Sequence, residues 1–239
     1  MFRVVVSQDF WDPVKKRRIN WGWARVPPSS TQTLPREVTW HPELQQLVFS
    51  PVEEQVELRA SPSLATMASV DVAAGEQKSL GTWPGSVGNQ SEVTATFTLP
   101  TKATTFGIGF MTNGGKPTKE AFVSFVPAGE ADAIGVSGSW QVQVGVRGAT
   151  ADAKPPPAPA AGSMLKLLAT DKKVEIRIFF DNTFAEVFFM DGRIAITSTT
   201  AATEEASEPA LPLNSSHTMS DGESSVNTSK TEKFIYLFM

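Results

Sequence analysis

The chain contains no cysteine. That absence removes disulfides, cysteine-ligated zinc, iron–sulfur clusters and thiol nucleophiles together, and it leaves the redox compartment open. Histidine is nearly missing too: His41 and His217 are the only two. They cannot supply a three-histidine metal site, so neither a metal nor another cofactor is expected. Charged residues make up only 19% of the chain, as suits strands and uncharged loops. No sign dominates, because 21 Lys and Arg against 25 Asp and Glu leave −4. A nucleic-acid partner is therefore not expected, since such proteins usually carry a basic stripe. No apolar run approaches the ~18 residues of a membrane helix, so no membrane partner is expected either. The opening stretch Met1 to Val6 is too short for a signal peptide and has no cleavage-like site.

What remains is a chain of 239 residues, 41% hydrophobic, long enough for a real core and for one or two domains. Almost nothing reads as a long helix. Apolar residues alternate or form short runs, punctuated by 17 Gly and 17 Pro. Residues 174–198 carry the clearest pattern and predict three antiparallel strands. Ile176, Ile178 and Phe180 share one face, and Glu175 and Arg177 the other. Asp181-Asn182 is the expected first turn. Asp191-Gly192 is the second, the strongest two-residue hairpin signal because a type I′ turn needs positive φ at both positions. With loops at 181–182 and 191–192, Glu186 on the middle strand faces Arg177 and neighbours Thr197. A cross-strand ion pair, contributing ~0.2–1 kcal/mol, is the expected role for Glu186.

Further strands are expected at 2–6, 18–24, 46–49, 55–59, 92–99, 105–111, 121–126, 139–147, 164–169 and 234–238, with Thr112 to Gly115 as a turn. Around a dozen short strands without helical crossovers mean an all-β, antiparallel fold, most simply a sandwich. Residues 27–35, the proline-rich 149–163 and the polar 201–230 read as loops or linkers. Residues 201–230 have the composition of a poorly ordered segment, after which the strand from Phe234 to Phe238 returns to the sheet from the side.

Two stretches resemble a known family. The first runs from Asp9 through Arg17-Arg18-Ile19-Asn20-Trp21-Gly22-Trp23 to Arg25, followed by Leu34-Pro35-Arg36 and by Pro51-Val52-Glu53-Glu54-Gln55-Val56-Glu57-Leu58-Arg59. It resembles the end of the catalytic propeller of glycoside hydrolase family 32, the family of invertases, inulinases and other β-fructofuranosidases. That region carries R-R-[IV]-x-W-G-W, [IL]-P-R and P-[VI]-E-E-[IVL]-x-x-L-R. The second stretch, Ile176 to Ser198, is similar to a hairpin of the family's C-terminal sandwich. Asp181, Glu186, Val187, Phe188, Gly192, Arg193, Thr197 and Ser198 fill its pattern, and Thr183 stands where serine is usual.

The resemblance implies a remnant of the last propeller blade with its linker over residues 1–50, a strand or two, and a C-terminal β-sandwich over 51–239. The fold expected is thus an antiparallel β-sandwich preceded by a partial β-propeller blade. The resemblance also implies a parent glycosidase acting on sucrose or fructans, in which the sandwich stabilises the propeller. Its chemistry resembles the retaining scheme, with a nucleophile and an acid/base carboxylate roughly 5–5.5 Å apart. The family places these in W-[ML]-N-D-P-N-G and E-C, with a stabilising aspartate in R-D-P. None of these motifs is in the chain: Asp12-Pro13 is the only D-P, and Trp11 precedes it. No catalytic, cofactor-binding or metal residue is therefore expected, and about four blades of the parent would be missing. The expected partner is that missing propeller domain, in the same chain or another. The start at Met1 falls within a blade, and family members are commonly secreted or vacuolar, so a targeting signal would lie upstream in a longer parent.

Other constellations read as structural. Glu53 and Glu54 are adjacent, and on a strand they would point to opposite faces and could not both reach one sugar. Asp181 and Glu186 could approach across a hairpin, but on an open sheet face. Trp11, Trp21 and Trp23 could stack on sugar; Trp21 and Trp23 share a face of one strand, which favours packing between blade and sandwich. Lys15 to Arg18 is expected as a solvated turn and His41 as a loop residue. Asn89, Asn214 and Asn227 head glycosylation triplets. A stand-alone carbohydrate-binding or interaction module is the competing reading of the whole chain.

Overall fold

The computed structural model describes residues 4–25, 30–60, 66–67, 69–83, 90–113, 116–127, 140–148, 163–181, 184–199 and 233–238. The three glycosylation asparagines, His217, Gly114-Gly115, Asn182-Thr183, residues 149–162 and the segment 201–230 lie outside these. Three antiparallel sheets account for the described chain.

The first sheet is built from Val4–Asp12 (β1), Arg17–Arg25 (β2), Ser30–Gln32 (β3), Arg36–His41 (β4) and Gln46–Pro51 (β5). Its order is β1-β2-β4-β5, with β3 paired to the C-terminal end of β2. Four long strands are thus present instead of the one or two expected. Asp12 explains the first hairpin: its Oδ1 accepts the amides of Val14 and Lys15, at 3.0 and 3.2 Å, and Lys16 takes a positive φ of 53°. The Asp12-Pro13 dipeptide is a turn cap.

Residues 55–59, expected as a strand, lie instead in or beside a short 3-10 helix, Glu53–Leu58. Its i to i+3 bonds run from the Gln55 amide to the Val52 carbonyl and from the Arg59 amide to Val56. The compact turn lets adjacent carboxylates converge, which a strand would forbid. Lys15 pairs with both Glu53 and Glu54, and Arg17 bridges Asp12 and Glu54. Hydrogen bonds from Arg17 and then Lys15 hold the Glu54 carboxyl down at about 2. The basic run therefore clamps the helix rather than facing solvent alone.

The remaining strands are Gln77–Trp83 (β6), Gln90–Thr98 (β7), Thr104–Asn113 (β8), Lys116–Pro127 (β9), Trp140–Gly148 (β10), Ser163–Met164 (β11), Lys173–Asp181 (β12), Phe184–Phe189 (β13), Ile194–Thr199 (β14) and Lys233–Phe238 (β15). They make a six-stranded sheet, β11-β10-β9-β8-β15-β6, and a four-stranded sheet, β14-β13-β12-β7. The all-β sandwich expected from the alternation is what folds. The closing strand enters between β8 and β6, not at the side of the sheet. Of the expected strand at 164–169 only the start is a strand. Beyond it Leu165 and Leu167 turn into the core, and the Leu165 amide still reaches the Val142 carbonyl at 2.8 Å.

The sandwich core follows from period-two alternation. Phe106, Ile108 and Phe110 of β8, Val123 and Phe125 of β9, and Val142 and Val144 of β10 meet Ile176, Ile178 and Phe180 of β12 and Val187 and Phe189 of β13. Aromatic pairs bridge the two layers: Phe97–Phe106 at 4.8 Å and Phe110–Phe180 at 5.3 Å between ring centroids. Strand β13 is buried on both faces. Ala185, Val187 and Phe189 belong to the sandwich core, while Phe184 packs on Ala24 of the first sheet. Truncating Ile178 to Ala should cost about 2–5 kcal/mol in urea denaturation, with the m-value unchanged.

Candidate functional site

Glu186 sits at the centre of the junction between the first sheet and the sandwich. The hairpin register places it opposite Phe179 of β12 and Thr197 of β14. The Thr197 neighbour was expected; the Arg177 neighbour was not found. Asp181 pairs with Phe184 and so belongs to the strand, which sets Arg177 opposite Phe188. A shift of two residues in pairing preserves the side-chain face, which is why the alternation survived the register error. Arg177 instead pairs with Glu92 of β7 at 2.6 Å and lies 4.6 Å over the Phe179 ring. Arg59, just beyond the 3-10 helix, forks onto the same Glu92 at 2.7 and 2.6 Å.

The partner of Glu186 is Arg36, 150 positions away on β4. Glu186 is wholly buried and Arg36 nearly so. One carboxylate oxygen takes the Arg36 Nη2 and the other the Leu34 amide, while the same Nη2 donates to Thr197 Oγ1 at 3.1 Å. The guanidinium lies 5.2 Å from the centroid of Phe188, next along the same face. Burial pushes the Glu186 carboxyl above its ordinary range, opposed by the charge and hydrogen bond of Arg36 and by the Leu34 amide. The segment carrying Leu34 is itself fixed, since the Thr33 amide reaches Gly22 O and the Gly22 amide reaches Thr33 Oγ1, both at 2.8 Å.

The second anchor is the β13–β14 turn. Asp191 and Gly192 have φ of 52° and 90°, the signs a type I′ turn requires, and the Arg193 amide returns to the Met190 carbonyl. Strand β5 takes up three successive carbonyls of this turn: Asp191 O from Ser50 Oγ at 2.7 Å, Gly192 O from the Phe49 amide at 3.0 Å, and Arg193 O from Gln46 Nε2 at 3.0 Å. A Cβ on Gly192 would run into the Phe49 carbonyl. Arg193 in turn forks onto Asp171 at 2.6 and 3.2 Å, and Lys166 Nζ reaches the Leu44 carbonyl at 2.7 Å. Burial opposes ionisation of Asp171, but the Arg193 fork and the Leu168 amide outweigh it and lower its pKa.

The other candidates separate. Asp181 is exposed at the end of β12 and accepts from Gln90 Nε2 at 3.1 Å, whereas Glu186 is sealed inside. His41 ends β4, with its Nδ1 facing the Leu44 amide at 3.4 Å. Trp21 and Trp23 do share a face, but it is turned away from the sandwich, which meets Ala24 and Arg36 on the opposite face. Trp21 stacks on Phe10 at 5.0 Å, and Trp23 remains 41% exposed. Trp11 lies on the sandwich-side face and is 60% exposed. Among the described residues no cluster of three or more His, Asp or Glu is placed to hold a metal. Retaining glycosidases need two carboxylates roughly 5–5.5 Å apart in a cleft; the junction offers one sealed carboxylate, neutralised by an arginine. Its chemistry is that of an anchor.

The comparisons agree with this architecture. A family model described as "Glycosyl hydrolases family 32 C terminal" matches residues 54–230. Fructan 1-exohydrolase IIa from Cichorium intybus superposes with a TM-score of 0.58 and 16% identity, over 99% of this chain and 47% of that one. A variant of the same enzyme in complex with 1-kestose gives 0.59 and 17%, over 99% and 46%. At these identities the likeness is one of fold, and the chain spans about half the length of these structures. No curated protein matches the sequence significantly.

Glu186→Ala should destabilise the protein by about 3–5 kcal/mol, because it strands the buried Arg36 charge. Glu186→Gln, which keeps an acceptor, should cost less. The pH dependence has a definite sign. The folded pKa of Glu186 lies above the unfolded one, so its contribution is fully present below the unfolded value and is lost as pH rises through the folded value. In denaturation series across pH, the wild type should lose stability relative to Glu186→Gln as the pH climbs past the ordinary carboxylate range.

Proposed function

The chain belongs to glycosyl hydrolase family 32 through its C-terminal domain, and we propose that it is the C-terminal part of a β-fructofuranosidase-like hydrolase acting on sucrose or fructans. In this reading the sandwich stabilises a propeller that carries the chemistry, and the first sheet is the propeller blade it grips. The observation that carries the proposal is the sealed Glu186–Arg36–Leu34 contact with the docked 190–193 turn beside it. A buried ion pair is costly to expose, so the sheet and the sandwich hold one arrangement. The remaining blades, in the same chain or another, would meet the face bearing Phe10, Trp21 and Trp23. Phe10 is 44% exposed there, and apolar surface of this kind marks an interaction site.

A second reading, a carbohydrate-binding module without catalysis, is favoured by Trp11 and Trp40. Both project from the sandwich-side face of the first sheet, 60% and 59% exposed. Incubating the purified chain with sucrose and with 1-kestose should release no fructose above buffer. Release would show that the chain carries its own catalytic carboxylates and would overturn the proposal. Saturable 1-kestose binding in a calorimetric titration, abolished by Trp11→Ala with Trp40→Ala, would favour the second reading. Codons upstream of Met1 encoding the W-[ML]-N-D-P-N-G, R-D-P and E-C motifs would support the first.

A further inference from the structure

Lys119 stands where the alternation of β9 calls for an apolar side chain. Ala121, Val123 and Phe125 of that strand face the sandwich core, and period two puts Lys119 on the same face. It is 7% exposed. Its register neighbours are Phe110 of β8 and Gly148 of β10, and the Phe110 ring packs on Phe180 of the facing sheet. Lysines are rarely buried without a partner, yet among the described residues none bonds to or pairs with this one. Charged residues on the neighbouring strands turn elsewhere. Glu120 and Arg147 lie on the outer face and pair with each other at 2.9 Å. On β7, β12 and β13, Glu92, Lys173, Glu175, Arg177, Asp181 and Glu186 alternate away from the sandwich core. The register also leaves room beside Lys119. A Cβ on Gly148 would share its face and, among the described residues, meets nothing within 4 Å. The sealed polar atoms without a partner are Arg36 Nε and Gln143 Oε1 among the described residues; the Lys119 amine is not one of them, so it still touches water.

We infer that the gap between Lys119 and Gly148 is a covalent modification site, in which the Lys119 amine condenses with a short-chain aldehyde. The nitrogen lone pair attacks the carbonyl carbon and a C–N bond forms. The carbonyl oxygen then leaves as water with the two amine protons, and an imine remains. Only a neutral amine has that lone pair to give. Burial with no counter-charge pushes the Lys119 ammonium below the ordinary lysine range. Lys15 is the opposite case, held above that range by Glu53 and Glu54. The space of one missing side chain at Gly148 suits a short chain, and the apolar stem of Lys119 keeps the amine beside it. This inference does not rest on the proposed hydrolase, because it requires neither a propeller nor a glycosidic bond.

The full chain can be tested without substitution. Brief exposure to glycolaldehyde, trapping with borohydride and peptide mass spectrometry reads the labelling of each lysine. At about pH 7 Lys119 should be labelled about threefold or more over Lys15 and the exposed Lys16, since each unit of pKa difference changes the neutral fraction about tenfold. The excess should shrink at about pH 10, where exposed amines lose their protons too, and should vanish in guanidinium. Gly148→Leu, which fills the gap, should bring Lys119 down to the labelling of Lys16 while leaving Lys15 and Lys16 unchanged. Circular dichroism melts of that variant should match the wild type, so that a lost reaction is not a lost fold. Lys119 labelled no faster than Lys15 and Lys16 near neutrality, an excess that persists in guanidinium, or one that survives Gly148→Leu in a folded chain would overturn the inference.

Discussion

The buried contact between Glu186 and Arg36 is the constraint on which the arrangement of this protein depends. Ionised groups leave water at a cost of several kcal/mol each, repaid only when partners are placed well. Here burial still outweighs the repayment at Glu186, and that partial repayment is shared across three elements. Strand β4 brings the guanidinium, the segment before it brings the Leu34 amide, and the β13–β14 hairpin brings the carboxylate and Thr197. If one element moves, the others are left with unsatisfied charge. A purely apolar contact would tolerate sliding; this one does not.

The 190–193 turn adds a second constraint of a different kind. Its backbone carbonyls, which a hairpin turn usually leaves to water, accept hydrogen bonds from β5. Met190 and Asp191 both hold positive φ, at 50° and 52°, a conformation non-glycine residues adopt at some expense. Docking on β5 holds that conformation, and the absence of a Cβ on Gly192 lets the two backbones approach. A turn residue choice that looks local therefore serves a long-range contact.

The two layers share one buried strand. Strand β13 presents one face to the sandwich core and the other to the first sheet, so both pack on the same strand. What the sheet then offers outward is aromatic: Phe10 and Trp23 on the far face, Trp11 and Trp40 on the near one.

Most of the fold was legible in the residues. Alternation predicted most strands of the sandwich but not Gln77–Trp83, Asp191-Gly192 predicted its turn, and that turn paired Glu186 with Thr197, because these are nearest-neighbour effects within a few positions. Where a signal was ambiguous by one residue, as at Asp181, the register slipped by two and the partner of Arg177 was missed. Residues 55–59 do not form the expected strand, because a hydrophobic alternation cannot reveal that two basic side chains from another hairpin will draw the neighbouring Glu53 and Glu54 carboxylates together. Glu186 and Arg36 were each visible in a motif, yet nothing local could join them. Their pairing spans 150 positions and exists only once two sheets have closed and expelled water. The expectation that Trp21 and Trp23 pack between blade and sandwich fails for the same reason: alternation says that two residues share a face, and only packing says which face is covered.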